Sequence, residues 1–493
     1  MEAGPLVLDH PEETARFRAV LDAAGYTASN IREALGLEAS RRVRRSDLPV
    51  HRRRLAGTGA LTSLVRLFWL GDPVERAEAA RAHAPVELET AAGLGLVEEA
   101  GEGTRARARV RLVPFDPLVL ACDRDDAGGP AYVAGVHPPS VTLANLTVRR
   151  HVGAAADVAA GCGVQALLAA AHSDRVVATD VNPRALRFLA FNALLNGTAN
   201  VECRLGNLFE PVAAERFDLV TCNPPYVVSP ESLYLYRDSG LEGDAISRET
   251  VRRAPELLAE GGFAHVLVSW IRRQGEDWRA PLVRWLDGGG CDAWLLHSGS
   301  EDPLTAASTW NSPRKLEEPD EYERALDSWL AYYERLGVDS VAYGAVILRR
   351  RAGGRNWIRA DDVLESAIGP SSDLVLRVFE NQDYLETLPD DHTLLSGAFR
   401  LVERHRVEQV VRIRAGRYEV ESTLLVLEDG LEFRGPVDGL VVDVLAGCDG
   451  RRPLGELVDE AARGHELSAA QAREELVPVV RRLLELGVLD RGR

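Results

Sequence analysis

The chain has one lysine, one methionine and six cysteines in 493 residues, and each scarcity removes a class of explanation. The cysteines, at positions 122, 162, 203, 222, 291 and 448, form no CxxC pair and no metal-ligand spacing. They read as reduced, mostly buried thiols, not as a disulfide framework or a zinc centre. No apolar run approaches the roughly 20 residues needed to cross a bilayer, and no leader pattern opens the chain, so a soluble, cytoplasmic protein with no membrane partner is expected. Apart from Lys315, all positive charge is arginine, which reflects a GC-rich coding sequence more than a function. A net charge of -17 disfavours broad contact with a polyanion, although a local patch overrides a total. Internal repeats and low-complexity tracts are absent. What is present is a 46% hydrophobic composition, enough to pack the cores of about three domains at this length.

The most informative stretch is Asn223-Pro224-Pro225-Tyr226, at the end of the apolar run Phe217 to Cys222. An Asn held at a strand's C-terminal end, followed by two prolines and an aromatic ring, is suited to gripping a planar NH2 group. The Asn223 side-chain carbonyl and the Pro224 backbone carbonyl each accept one N–H, and the Tyr226 ring covers the planar face. The prolines donate nothing and stiffen the turn. A rigid strand-to-loop turn without chemistry is the competing explanation.

Upstream, Ala154 to Leu168 reads as a small-apolar strand ending in Asp157, a turn through Gly161 and Gly163, and a helix whose N-terminus lets a ligand meet the backbone. Asp180, 23 positions after Asp157, ends the next apolar run, where nucleotide-binding α/β folds hold ribose hydroxyls. Asn182-Pro183 starts a helix that Asn196-Gly197 closes, and further units end in Gly206 to Pro211 and in the Asn-Pro-Pro-Tyr turn. Strands alternating with helices, with polar residues at strand C-termini, predict a doubly wound α/β fold that binds its ligand along that edge.

The order Asp-x-Ala-x-Gly-Cys-Gly, Thr-Asp-Val-Asn-Pro-Arg-Ala-Leu, Gly-Asn-Leu-Phe-Glu-Pro and Asn-Pro-Pro-Tyr resembles the class I S-adenosylmethionine-dependent methyltransferases. Within them it is most similar to the small-domain type that includes the HemK or PrmC glutamine methyltransferases and several RNA amino-group methyltransferases. The resemblance covers roughly residues 130 to 350. It continues through Ser239 to Asp244, in the place of that family's Gly- and Asp-rich segment, and through Leu257 to Phe263 as a helix end and glycine turn before a fifth strand, Ala264 to Ser269. It implies a Rossmann-like core with S-adenosyl-L-methionine as cofactor. By the same resemblance Gly161 and Gly163 border the methionine part, Asp157 lies near its amino group, Asp180 binds the ribose, Asn207 the adenine, and Asn223 joins the same pocket. Ala159 replaces the family's first glycine, and the neutral Asn207 replaces its adenine-facing acid.

The reaction implied is in-line displacement, with Asn223, Pro224 and Tyr226 as the catalytic set that aligns a poorly nucleophilic amide nitrogen. No strong general base is required, because the proton becomes acidic only as the nitrogen becomes cationic. His137, Thr142 and Asn145 lie just before the core, and His137 is read as a turn residue that borders the cleft. A protein glutamine side chain is the first acceptor to consider. Adenine N6 or guanine N2 of RNA or DNA is the alternative, and a cofactor-binding regulator without catalysis is a third reading.

The flanks are read as follows. Residues 1–112 form an N-terminal, mainly helical, winged-helix-like domain, with helices at Thr14 to Ala24, Ser29 to Leu37, Leu61 to Leu70 and Pro73 to His83, another ending at Leu94 to Val97, and a strand over Arg105 to Leu112. Its basic stretches, Arg41-Arg42-Val43-Arg44-Arg45 and His51-Arg52-Arg53-Arg54, suit nucleic acid or a solvated helix face. Residues 113–150 connect it to the core at 151–350. After a linker at 351–372, residues 373–493 are an α+β domain. Strands are expected there at Asp373 to Phe379, Gln409 to Ile413 and Ser422 to Leu427, and helices at Leu440 to Leu445, Leu454 to Arg463 and Ala469 to Leu486. Winged-helix, dimerisation and capping roles all suit that pattern, and the oligomeric state stays open.

Overall fold

A computed structural model describes residues 5–37, 47–57, 59–312, 314–351, 353, 355–414, 416–428 and 430–491. The chain divides into two units, residues 1–144 with 150–362, and residues 145–149 with 363–493.

The centre of the first unit is an eight-stranded sheet. Its strands are β1 (Val152–Val158), β2 (Ser173–Asp180), β3 (Val201–Leu205), β4 (Phe217–Cys222), β5 (Leu258–Arg272), β6 (Cys291–Glu301), β7 (Ser340–Arg350) and β8 (Ile358–Asp362). In space they run β8-β6-β7-β5-β4-β1-β2-β3. Strands β1 to β5 are parallel to their neighbours, and β7 runs antiparallel between β5 and β6. The inner strands read as continuous small-apolar runs because helices cover both of their faces, and Val176, Val177, Ala178, Leu219 and Val220 have no exposed surface. The order in which strands are added reverses between the parallel neighbours β1 and β4, which opens a crevice beyond their C-terminal ends. Register fixes what meets there: Asp157 pairs with Thr221 and Val158 with Cys222, so Ala159 and Asn223 leave the sheet side by side.

Helices α1 (Val164–Ala170) and α2 (Pro183–Leu195) follow β1 and β2. Asn182 caps α2, its side chain accepting the Arg184 N–H with Pro183 in the first turn, as the Asn-Pro pair predicts. One face of α2 has an unusual role. The Asn192 carboxamide accepts the Ala121 N–H at 2.7 Å and donates to the Ala121 carbonyl at 3.0 Å and to the Cys162 carbonyl at 2.8 Å. One turn on, Asn196 treats Val119 the same way, at 2.9 and 2.8 Å. Two side chains four residues apart thus satisfy alternate backbone groups of the strand Leu118–Cys122, as a neighbouring strand would. Phe188 and Phe191 of α2 bury into one cluster with Phe17, Leu21 and Phe68.

The N-terminal part of this unit holds helices at Pro11–Ala23, Ala28–Leu35, Leu48–Arg54, Ala60–Leu64 (continued by a π turn, Val65–Trp69), Arg76–His83 and Leu88–Gly93. A three-stranded antiparallel sheet joins Val74–Glu75, Arg105–Ala108 and Val97–Ala100. Two expectations shift. The helix expected from Pro73 begins at Arg76, because Val74 and Glu75 pair with Ala106 and Arg105. The strand expected over Arg105 to Leu112 stops at Ala108, and a second one, Arg111–Phe115, pairs with Leu118–Cys122. The stretch Arg41 to Arg45 lies outside the described residues. Of the second stretch, Arg52 grips Asp72 through two bonds of 2.8 and 2.6 Å, Arg53 donates to the Pro49 carbonyl and Arg54 to the Leu35 and Gly36 carbonyls. In the core, the helix end expected at Leu257 to Phe263 is a short 3-10 turn, Ala254–Leu257. Leu258 already pairs with Phe217 before a register shift resumes the ladder at Phe263.

In the second unit, the strand expected at Asp373 to Phe379 is a helix, Ser372–Thr387. Its buried residues Leu374, Val375, Val378 and Phe379 recur at helical spacing, a pattern its β-branched composition hides. The other expected elements lie within strands His405–Arg414 and Arg417–Leu427 and helices Gly439–Ala446, Leu454–Gly464 and Ala469–Glu485, the last opened by a Ser468–Gln471 capping box.

The double clip on α2 gives a measurable expectation. Asn192→Ala leaves the Ala121 N–H and two carbonyls buried without partners, and should cost about 3 kcal/mol in chemical denaturation, well above the roughly 1 kcal/mol typical of a point substitution.

Candidate active site

The crevice between β1 and β4 holds a cavity of about 260 Å³. Asp157, Ala159, Gly161, Asp180, Asn207 and Asn223 line it, and Gly163, Pro224 and Tyr226 do not. Six of the nine positions singled out in the sequence are therefore brought together on one wall.

They fall into two kinds. The two carboxylates are fastened to the scaffold. Asp157 accepts the Ala166 N–H near the start of α1 at 2.9 Å and the Thr221 hydroxyl of β4 at 2.9 Å. Asp180 accepts the Gly161 N–H at 2.8 Å, which braces the turn after β1, and the Asn182 N–H at 2.8 Å. Burial raises both carboxyls above the ordinary 3.8, Asp157 to about 7, against the lowering pull of those hydrogen bonds. The two amides, Asn207 and Asn223, are uncommitted: among the described residues neither side chain has a hydrogen-bond partner. Each offers a carbonyl and an NH2 to the cavity.

The turn between them is shaped by backbone constraints. Ala159 sits at φ 58°, the left-handed region in which a Cβ costs roughly 1 kcal/mol, so the alanine is strained at a position that suits glycine. At Gly161, φ is 56° and nothing lies within 4 Å of where a Cβ would stand, so its backbone faces open space. Gly163 has a packing job. At φ 92° a Cβ there would stand 2.6 Å from Cγ of Leu189, so glycine is required for α1 to pack on α2.

The Asn-Pro-Pro-Tyr turn also differs in part. Pro224 spends one lone pair of its carbonyl on the Tyr226 N–H at 2.8 Å, leaving one for another donor. Tyr226 bridges to Asp238, accepts the Ser269 hydroxyl at its carbonyl and packs its ring against the core of the sheet, not over the cavity. Aromatic cover comes instead from Tyr132 and Tyr236, which line the cavity with ring centroids 5.6 Å apart. The segment carrying Tyr236 is folded by the buried Asp238, which accepts the Leu233 and Tyr234 N–H groups at 3.1 Å and pairs with Arg237. Sequence reading passed over both tyrosines. The clue was Tyr234-Leu235-Tyr236-Arg237-Asp238, an aromatic pair beside a charged pair directly before Ser239-Gly240.

His137 does line the cavity. Its Nδ1 lies 3.0 Å from the Ser140 hydroxyl, and burial holds the imidazole below its ordinary pKa, hence neutral. Thr142 and Asn145 do not line it, and Asn145 donates to the Ile368 carbonyl at 2.8 Å.

Residues 138–269 match the family described as the methyltransferase small domain. The core is a class I methyltransferase domain of the small-domain type. Residues 23–108 and 376–491 match two further families, each described as a domain of unknown function (DUF7059 and DUF7782). Over 158 residues the methyltransferase region is 36% identical to the release factor glutamine methyltransferase of Xylella fastidiosa, covering 31% of this chain and 54% of that one. Identity to the corresponding Geobacter sulfurreducens protein is 30%, covering 29% and 56%. The ribosomal protein uL3 glutamine methyltransferase of Bradyrhizobium diazoefficiens is 35% identical, covering 22% and 37%. The chain spans about half the length of the first two relatives and less of the third.

The cofactor of such a methyltransferase domain is S-adenosyl-L-methionine, and the donor set suits it. A backbone turn with open space at Gly161, an acid at each of two strand tips and an amide at the third match a ligand with a cationic amino acid end, a ribose and an adenine.

Two measurements test this site. Gly163→Ala should cost about 2–3 kcal/mol of stability through the clash with Leu189 and the unfavourable φ, and the companion substitution Leu189→Ala should recover part of it in denaturant titrations. For Asp157, a carboxyl raised by burial to about 7 must ionise to face a cationic ligand. Cofactor affinity should therefore rise with pH up to about 7, by as much as tenfold per unit, and level off above. Calorimetric titration of Asp157→Asn should give a flat profile over the same range.

Proposed function

We propose that the chain transfers a methyl group from S-adenosylmethionine to a planar amide nitrogen, with the side chain of a protein glutamine as acceptor. The observation that carries this reading is the pairing of an uncommitted Asn223 carboxamide at the tip of β4 with the open Gly161 turn at the tip of β1, in one cavity. The relatives named above act on glutamine in a release factor or in ribosomal protein uL3, which supports the same acceptor class.

The bound cofactor supplies a methyl group made electrophilic by its sulfonium. The residues of this chain have three tasks. Asp157, ionised, and the Gly161 turn hold the amino acid end, while Asp180 and Asn207 hold the nucleoside. Asn223 accepts one N–H of the acceptor amide through its side-chain carbonyl, and Pro224 accepts the other through the lone pair its carbonyl has left. Those two bonds turn the nitrogen's delocalised lone pair toward the methyl and favour the growing positive charge on nitrogen. Tyr132 and Tyr236 replace Tyr226 as the rings that shield the planar group from water. No base is needed beforehand: the proton leaves after transfer, when the nitrogen has become strongly acidic.

The nucleobase reading has less support. Arg52, Arg53 and Arg54 are already bonded to Asp72 and to backbone carbonyls, and the chain carries net negative charge.

Asn223→Ala should abolish transfer, by about three orders of magnitude, while cofactor affinity stays within a few-fold. Labelled-methyl transfer into a cell lysate provides the assay. Label released by protease and stable to nuclease supports the reading, and the reverse pattern replaces it with nucleobase methylation.

A further inference from the structure

The second unit carries a β-ribbon that reaches beyond its own core. Strands His405–Arg414 and Arg417–Leu427 pair antiparallel along their whole length, but the third strand of that sheet, Arg434–Pro436, covers only Leu424 to Val426. From Gln409 to Ser422 the ribbon has two strands and, among the described residues, no third strand beside it, and an isolated two-stranded ribbon is marginal in water.

Its two faces differ. At the root, Leu425 and Leu427 lie in the domain core, opposite Val407 and His405. The same face continues outward, interrupted by the polar pair Gln409 and Thr423, as Val407, Val411 and Ile413 on one strand and, opposite the last two, Val420 and Tyr418 on the other. These five side chains are 43%, 48%, 66%, 54% and 76% exposed. A register shift sets this up. Val410 pairs with Ser422 but Val411 pairs with Val420, so Glu421 is an extra residue in its strand. Without that bulge, Val420 and Tyr418 would point to the opposite face, because the side-chain period is two. The bulge gathers the apolar residues onto one surface.

The other face carries ion pairs that close on themselves: Arg412 with Glu421 at 2.5 Å, Arg414 with Glu419 at 3.9 Å, and Arg406 with Glu408 and Glu428, both at 2.8 Å. Four arginines and four glutamates lie between Arg406 and Glu428, so the arm is locally neutral on a chain of net charge -17.

We infer that this arm is a homodimerisation surface, in which the apolar face stacks on the same face of a second copy across a two-fold axis. Three features favour an identical partner. A charge-balanced arm selects no partner by charge, and it is a place where two strongly acidic chains meet without local repulsion. The five side chains offer on the order of 500 Å² per arm, so two arms together cover about 1,000 Å², the threshold for a specific interface. Two such faces at the usual spacing of about 10 Å form a small sandwich with both charged faces outward, which a two-fold axis makes self-complementary.

Analytical ultracentrifugation of the full chain from about 0.1 to 50 µM should show a reversible monomer–dimer equilibrium. The double variant Ile413→Glu with Tyr418→Glu should raise the dissociation constant at least about tenfold, with an unchanged thermal transition, because both residues stand in solvent in the monomer. Val410→Glu, on the charged face, should leave it within about twofold. A wild-type chain that stays monomeric throughout, a dimer that survives the double variant, or equal loss in Val410→Glu each overturns the assignment. Retention of a monomeric wild type on phosphatidylcholine vesicles would give the face to a membrane surface instead.

Discussion

The buried carboxyl of Asp157 is the constraint from which the rest of the site follows. One oxygen holds the first turn of α1 and the other holds β4. The turn that exposes Gly161 and the strand that delivers Asn223 are therefore fixed relative to each other through one side chain. Its low-dielectric setting stiffens those bonds and also makes its negative charge costly until a cation arrives. Asp180 repeats the arrangement on the far side, drawing the Gly161 N–H toward β2.

Much of this was legible in the sequence, because backbone requirements leave clear local marks. An acid at the end of a small-apolar run, glycines at a strand-to-helix turn, an Asn-Pro cap and an Asn before two prolines each demand particular residue types for conformational reasons. Together they placed Asp157, Asp180, Asn207 and Asn223 on one sheet edge. The misreadings share a cause as well. At Gly163 a glycine in such a turn has two possible reasons, and the position of Leu189 supplies one of them. Tyr226 was given to the substrate because a ring next to a turn can point either way, and its bridge to Asp238 and contact with Ser269 are long-range. Tyr132 and Tyr236 were missed because they are 104 positions apart and meet only in three dimensions.

The secondary-structure errors divide along the same line. Ser372–Thr387 was misread because Leu374, Val375, Val378 and Phe379 favour strands by composition while their spacing is helical, and the burial they achieve prevails over propensity. The two-residue strand Val74–Glu75 left no local signal at all, since only its pairing with Arg105 and Ala106 makes it one.

The amide ladder on α2 has a consequence for how the chain can be divided. Helix and strand are joined there by polar groups, while Phe188 and Phe191 beside them share one buried cluster with Phe17, Leu21 and Phe68 of the first hundred residues. Excising those residues would leave bare hydrocarbon on the outside of the core, a surface that attracts other proteins. The N-terminal helices and the core thus share one packed interior.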